Sequence, residues 1–404
     1  MKRFFLLALC ALFACNAGAR TLYVDAKRPN NKGNGLSKAK AKKTIQAAIN
    51  EAKKGDTILV YPGTYAPIKT NNKKIAIKSV KGAAKTVVDG LGKQSAICAQ
   101  LAKVVRANPT WTETVDGVTS YGSNLYYHLP YKKDSWDEEE QKNTKLSGVT
   151  LRNAGYAVVG GVLSNSKITK VVSGTGKDGL FSIYNSTLDA CTISGNTGGA
   201  IGTDGPKFCE GSVLARCKIV KNAFRLPEND YEMSYGGQGA FAYSNLRNCL
   251  VAGNKNVTIC YADLLNCTVA DNLNEISDGS WGGWNRHVVN DGCSLVNCIL
   301  WNNRVDVTSY NDATGEDETV RKLANFQPGY IGTGGRRVGV PTFKNTDKTN
   351  KNPKFTSDYK LKKGSPFIDK GKLTKAQKQL VGTKDLAGKK RIKGKAIDRG
   401  CYEY

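Results

Sequence analysis

Histidine is nearly absent from this chain: its 404 residues include only His128 and His287. The 12 cysteines never stand as Cys-x-x-Cys and have no histidine at ligand spacing, which excludes the common zinc patterns. Past the first residues no apolar run approaches the roughly 20 residues that a membrane-crossing helix needs. Acidic residues are also few, 34 Asp and Glu against 60 Lys and Arg, for a formal net charge of +26. So basic a surface favours acidic partners: uronate or sulfated polysaccharide, anionic lipid or nucleic acid. The lysines are spread through 27–54, 68–85 and 344–395 rather than clustered, which argues against nucleic acid. Lysine also keeps a long β surface soluble and blunts its edges.

The opening MKRFFLLALCALFACNAGA reads as a secretory signal peptide: Lys2 and Arg3, an apolar run from Phe4 to Ala14, and cleavage after Ala19. Leu12-Phe13-Ala14-Cys15 is a competing lipoprotein box that would leave Cys15 lipidated, although Phe13 is bulky for it. The expectation is a protein secreted from, or held on the surface of, a bacterium, with about 385 residues after cleavage.

With 43 glycines, many asparagines and few helical patterns, the chain reads as a turn-rich all-β protein. Its middle repeats one phrase, Leu-x-x-Cys-x-aliphatic-x-x-Asn: LDACTISGN (188–196), LARCKIVKN (214–222), LRNCLVAGN (246–254), LLNCTVADN (264–272) and LVNCILWNN (295–303). Weaker copies at 146–154 and 163–171 put Val149 and Ser166 in the cysteine slot. Successive cysteines from Cys191 to Cys298 stand 26, 32, 18 and 31 residues apart. A repeat that shrinks to 18 residues is too short for a helical hairpin of about 33, but it suits a coil of three short strands.

These features predict a right-handed parallel β-helix, a solenoid whose rungs pair at about 4.8 Å so that equivalent side chains stack in columns. The cysteine slot becomes an interior column of small residues, since free cysteine behaves as a small hydrophobe. The asparagines from Asn196 to Asn303 are expected at the bend after the strand, in left-handed conformation, with their amides bonded from rung to rung. Parallel cysteines in register point the same way, so the ladder should stay mostly reduced; Cys98, Cys209, Cys260, Cys293 and Cys401, outside it, remain open to disulfide formation.

On both sides of the repeat the chain resembles secreted bacterial pectate-lyase-like β-helix proteins. The N-terminal TLYVDAKRPNNKGNGLSKAKAKKTIQAAINEAKKGDTILVYPGTY (21–65) has their extended start, glycine-rich loop, capping helix (Thr44 to Lys53) and Pro-Gly-Thr-Tyr turn. The C-terminal NPKFTSDYKLKKGSPFIDKG (352–371) and DLAGKKRIKGKAIDRGCYEY (385–404) resemble a choice-of-anchor Q ending. The resemblance implies fold more than activity, because such proteins include lyases, hydrolases, epimerases and proteins without known reaction. Asn345-Thr346-Asp347 and Arg391-Ile392-Lys393 also occur in polygalacturonases, but the Asp-Asp and His-Gly phrases between them are missing, so both read as chance matches.

The expected organisation is a signal peptide (1–19), an N-terminal cap (20–55), a parallel β-helix (56–303) with a long insertion at 99–145, a polar excursion (304–351) and a C-terminal cap (352–404). Insertions at 223–238, 273–286 and from 304 onward share one slot, between the Asn bend and the next strand, and would flank one groove. Their aromatics, with Trp111 of the first insertion, suit stacking on sugar rings: Tyr235, Trp281 and Trp284. Long loops also need aromatics for small cores of their own.

SDGSWGGWNRHVVNDG (277–292) is the candidate catalytic stretch. Uronate β-elimination needs a cation to neutralise the carboxylate and a base to take the neighbouring proton; Arg286 and His287 could supply these, with Asp291 orienting the imidazole. A histidine at a strand start is more commonly a surface residue. Asp204, Asp263, Asp278 and Asp291 are candidates for a hydrolase, which needs two carboxylates about 5 to 9.5 Å apart, yet no pair has diagnostic spacing. Asp137-Glu138-Glu139-Glu140 could offer oxygens to Ca²⁺, though adjacent residues rarely converge on one ion and the run reads better as solvated charge. The functional expectation is a monomeric, secreted, carbohydrate-active protein that cleaves or binds an acidic polysaccharide, with a non-catalytic glycan-binding adhesion protein as the alternative.

Overall fold

The structure, a computed structural model, describes residues 18–107, 110–115, 118–123, 126–130, 133, 141–172, 182–197, 201–202, 212–224, 241–277, 287–290, 292–311, 313–326, 330–331, 337–338 and 341–404. Short strands, mostly of three residues with one inward side chain each, follow one another, and the rung strands pair in parallel with their equivalents one turn later, while the insertions add antiparallel pairs of their own. The chain is a right-handed parallel β-helix.

The first face is an 11-stranded sheet that runs from Thr21–Val24 to Thr342–Lys344. Its central residues form one register column: Leu22, Ile58, Ile77, Leu146, Leu163, Leu188, Leu214, Leu246, Leu264, Leu295 and Phe343. All but Phe343 are buried. Each contributes about 1.5–3 kcal/mol by leaving water, so leucine in the repeat is an energetic requirement of the stack. The second face stacks Ile168, Ile193, Ile219, Val251, Val269 and Leu300 in the same way. On the third, Ile183, Phe241, Ile259 and Val289 line the interior.

Each corner pairs a left-handed residue with a small interior one. Between the first and second faces the left-handed residues are Asn165, Ala190, Arg216, Asn248, Asn266, Asn297 and Asn345, with φ between 49° and 54°. The next residue is the expected column, Ser166, Cys191, Cys217, Cys249, Cys267 and Cys298; Val149, after Gly148 at φ 73°, precedes it by one rung and Thr346 extends it by one. Each ladder thiol donates to the leucine carbonyl of the preceding rung, as Cys267 does to Leu246 at 3.3 Å and Cys298 to Leu264 at 3.4 Å. Hydroxyls fit the slot as well: Thr346 Oγ1 donates to Leu295 O and accepts from Cys298 N at 3.0 Å, and Ser166 Oγ donates to Ser164 O at 2.7 Å and accepts from Val149 N at 3.1 Å. Cys98, Cys260, Cys293 and Cys401 are buried and unbridged, as are the ladder cysteines; Cys209 lies outside the described residues.

Between the second and third faces the bend differs from expectation. The left-handed residues are Gly195, Lys221, Gly253, Asp271 and Asn302, each one position before the ladder asparagine. Asn196, Asn222, Asn254, Asn272 and Asn303 point inward instead and are buried. Each donates through Nδ2 to Oδ1 of the next, at 2.8, 2.9, 2.9 and 2.8 Å from Asn196 through Asn303. The same Oδ1 accepts the backbone N–H of the preceding asparagine, as Asn254 does from Asn222 at 3.0 Å. The ladder continues past the repeat, to Asn325 at 2.8 Å and Asn350 at 3.0 Å.

The third corner stacks Ser186, Ser212, Ser244, Ala262 and Cys293 inside. Outside it Tyr243 and Tyr261 lie parallel, with ring centroids 5.1 Å apart. The next rung has Gly292 there, where a Cβ would sit 2.2 Å from the Tyr261 ring.

The helix Ile45–Glu51, capped by the Thr44 side chain, packs on Thr21–Val24, Thr57–Val60 and Ile68–Lys69 at the N-terminal end. The C-terminal residues from 353 lie along the side of the β-helix rather than over its end. Leu386, Cys401 and Tyr402 pack on Leu250 and Ala252, Val381 and Ile397 on Leu265 and Val296, and Leu361 and Phe367 on Ile299.

Candidate functional site

The side cover divides the outer surface in two. From Leu250 onward the second face is apolar outside and buried under the C-terminal segment. In the two rungs of Lys167–Val171 and Thr192–Ser194 it is open and polar; in the rung of Lys218–Val220 the outward Val220 packs against the edge of the cover, while Lys218 and Lys221 stay exposed. Lys167, Thr192 and Lys218 stand opposite one another in register, and Lys170, Gly195 and Lys221 occupy the adjoining left-handed positions. All four lysines are exposed and, among the described residues, none forms an ion pair. Sheet spacing puts Lys167 and Lys218 two rungs, about 10 Å, apart along the axis, and likewise Lys170 and Lys221. Thr169, Ser194 and, in the rung of Lys218, Val220 lie between the two rows. Two parallel rows of ammonium groups with hydroxyls between them can hold a linear polyanion along the axis.

Both ends of this strip carry ion pairs. At one end Arg152 Nε donates to Asp89 at 2.7 Å, and Asn153 Nδ2 adds a bond of 3.0 Å. Burial works to raise the Asp89 carboxyl, but the Leu91 amide, Arg152 and Asn153 hold it below the ordinary range. At the other end Lys360 pairs with Asp358 at 2.7 Å, where the cover begins.

The ends of the later insertions converge on one corner. Asn222–Phe224 and Phe241 flank one insertion, Leu273–Ser277 and Val288 the next, and Asn303 and Ala324 the third, all between the second and third faces. The Arg304–Asn311 strand pairs with Leu273–Ser277, so two of these excursions run side by side. The insertion after Gln100 leaves elsewhere, between the third and first faces. It holds Trp111, in the strand Thr110–Val115 paired with Val118–Ser123.

Of the expected catalytic residues only His287 lies among the described ones, half-buried, its carbonyl accepting from Asn290 Nδ2 at 3.1 Å. It opens the Val288–Val289 segment of the third face, whereas the lysine rows lie on the second. Arg286, Asp291, Trp281, Trp284, Tyr235, Asp204, Asp278 and the acidic run 137–140 lie outside the described residues. Asp263 is exposed on the first face, in register between Asn245 and Ser294. No group of three potential metal ligands occurs among the described residues.

Two features were not anticipated from sequence. The left-handed asparagines of the first corner receive the C-terminal segment: Asn248 Nδ2 donates to Val381 O at 2.9 Å, Asn297 exchanges bonds of 3.0 and 2.9 Å with Lys372, and Asn345 Nδ2 reaches Lys370 O at 2.9 Å. With its amide turned to accept, Asn266 takes bonds from Arg391 Nε and Nη2 at 3.3 and 3.0 Å. Arg391 is itself buried; Nη2 donates to Asp398 O and Gly400 O, and Nη1 lies 3.8 Å from Glu403. Burial, then the neighbouring Asp398 charge, pushes the Glu403 carboxyl up to about 7.

No family model and no curated protein matches this chain. Among solved structures it is similar to the pectate lyase Pel9A, at 13% identity and TM-score 0.40, with 96% of each chain covered. A GH136 lacto-N-biosidase from Eubacterium ramulus is similar at 12% identity and TM-score 0.35, covering 80% of this chain and 68% of that one. A rhamnogalacturonan lyase is similar at 11% identity and TM-score 0.25, over 90% and 98%. The fold assignment rests on the strand order and register described above.

Proposed function

We propose that this chain is a secreted carbohydrate-directed protein that holds an acidic polysaccharide along the open second face. The observation carrying this reading is the pair of exposed lysine rows, Lys167 with Lys218 and Lys170 with Lys221, which run up to the edge of the C-terminal cover at Val220. A repeating anionic polymer would find ammonium groups at a fixed pitch, and the formal charge of +26 would favour its approach. In the catalytic form of the reading, β-elimination takes place at the 286–291 segment. There Arg286 neutralises the uronate carboxylate, His287 removes the adjacent proton and Asp291 orients the imidazole. Trp281, Trp284 and Tyr235 stack on sugar rings.

Affinity electrophoresis against polyuronates and neutral glycans tests binding. The wild-type chain should be retarded by the acidic polymers alone, and less so as salt rises. Lys167→Glu with Lys218→Glu should weaken retention at least about tenfold, the two reversals being worth about 1.4 kcal/mol or more at low salt. Unchanged retention would remove the second face from consideration. Absorbance of unsaturated products, followed with and without Ca²⁺, tests the lyase chemistry separately, and His287→Ala should abolish any product. Binding without product would establish the second reading, a non-catalytic glycan-binding protein. The position of His287 on the third face, away from the lysine rows, favours that reading.

A further inference from the structure

The hairpin that follows the last ladder cysteine carries a feature unrelated to polysaccharide. Its strands Arg304–Asn311 and Glu316–Leu323 pair in antiparallel fashion, and the second ends the order of its three-stranded sheet. All eight side chains of Glu-Asp-Glu-Thr-Val-Arg-Lys-Leu are exposed. Among the described residues no strand pairs with the outer edge of Glu316–Leu323, which leaves a row of N–H and C=O groups open to another chain.

Edges that avoid partners are short, bulged or charged so as to repel. This one is eight residues long and polarised, with acids at 316–318 and bases at 321–322. Two copies pairing edge to edge in antiparallel fashion are related by a two-fold axis normal to the sheet. That axis preserves faces, so residues placed opposite each other must share parity. Centred on Thr319, the pairing sets Asp317 opposite Arg321 and Glu316 opposite Lys322, and symmetry makes each pair twice. Centring on Val320 keeps only Glu318 opposite Lys322, centring on Glu318 or Arg321 gives no ion pair, and parallel in-register pairing sets acid against acid. One register is therefore singled out by charge. Val320, 41% exposed, would lie beside the axis, opposite Glu318 of the other copy and diagonal to its own symmetry mate. Arg321 is already held by two bonds of 2.6 Å to Asp306, so one of the pairing side chains is preset.

We propose that two copies of the chain join along Glu316–Leu323, antiparallel and centred on Thr319. Sedimentation velocity of the full chain at about 100 μM and low ionic strength should show a dimer that dissociates as salt rises. Glu316→Lys and Lys322→Glu each set like charges opposite one another at two places and should weaken the dimer at least about tenfold. Both positions are exposed and leave the Arg321–Asp306 contact intact, so folding is not at stake. Mixed in equal amounts, the two variants should dimerise with each other, because each substituted position then faces the opposite charge. A monomeric wild type, a dimer indifferent to either substitution, or a mixture that fails to recover would each overturn the proposal.

Discussion

At the turn from the first face to the second, Ala190 holds φ at 53°, the conformation taken by Asn248, Asn266 and Asn297 in later rungs. A side chain that cannot bond locally pays about 1–2 kcal/mol for this backbone, and asparagine tolerates it better. Ala190→Asn should therefore stabilise the protein by about 1 kcal/mol, read as a raised urea midpoint at unchanged slope. The thiol column needs the opposite treatment. Burial drives Cys217 and Cys267 well above the ordinary thiol range, so these side chains remain protonated donors to the carbonyls beneath them. The column was legible in the sequence because Cys, Ser and Val share a size, and size is what the slot selects. The left-handed position was misplaced by one residue, because asparagine both tolerates that backbone and forms amide ladders. Gly195 and Gly253, directly before the ladder asparagines, were the signal that separates the two roles.

At the scale of elements, an asparagine before the ladder cysteine does two things: it takes the left-handed turn, and its amide anchors the C-terminal segment. Asn297→Gly separates them, since glycine keeps the backbone angle while removing both bonds to Lys372. The β-helix should hold while amides at 368–374 exchange markedly faster, measured by hydrogen exchange; equal protection would show that apolar packing alone fixes the segment. This docking was hidden in the sequence for a physical reason. The partners of Asn248, Asn297 and Asn345 are backbone carbonyls of Val381, Lys372 and Lys370, groups that every residue possesses. The rungs announced themselves through inward side chains repeated in each, whereas the open lysine rows became visible only once register put residues 51 positions apart two rungs from each other.

For the molecule as a whole, the buried cluster beneath the C-terminal segment ties stability to pH. Glu403 sits at about 7 when folded and near 4.5 when unfolded, mainly because burial disfavours its charge. The folded state therefore binds the proton more tightly, and this group's contribution is full below about pH 4.5 and lost as pH rises through about 7. Its span is about 3 kcal/mol, and Glu403→Gln should flatten that part of the profile when denaturant midpoints are compared at about pH 5 and about pH 7.5. Asp56 works in the other direction. Burial would raise it, but Arg20 and the Lys53 amide hold it low, so its contribution is lost in acid.

The side cover also has a mechanical meaning. In a solenoid every rung touches only its neighbours, so tension along the axis passes through the rungs in series and the weakest junction sets the limit. The C-terminal segment spans the junctions from Asn245–Arg247 to Thr342–Lys344 like a splint, sharing their load. The rungs from Lys145–Ser147 to Thr187–Asp189 lie ahead of that splint, and the next rung meets its edge at Val220. A molecule held at its two ends and pulled along the axis should open first among the rungs ahead of the splint, while the splinted half stays whole.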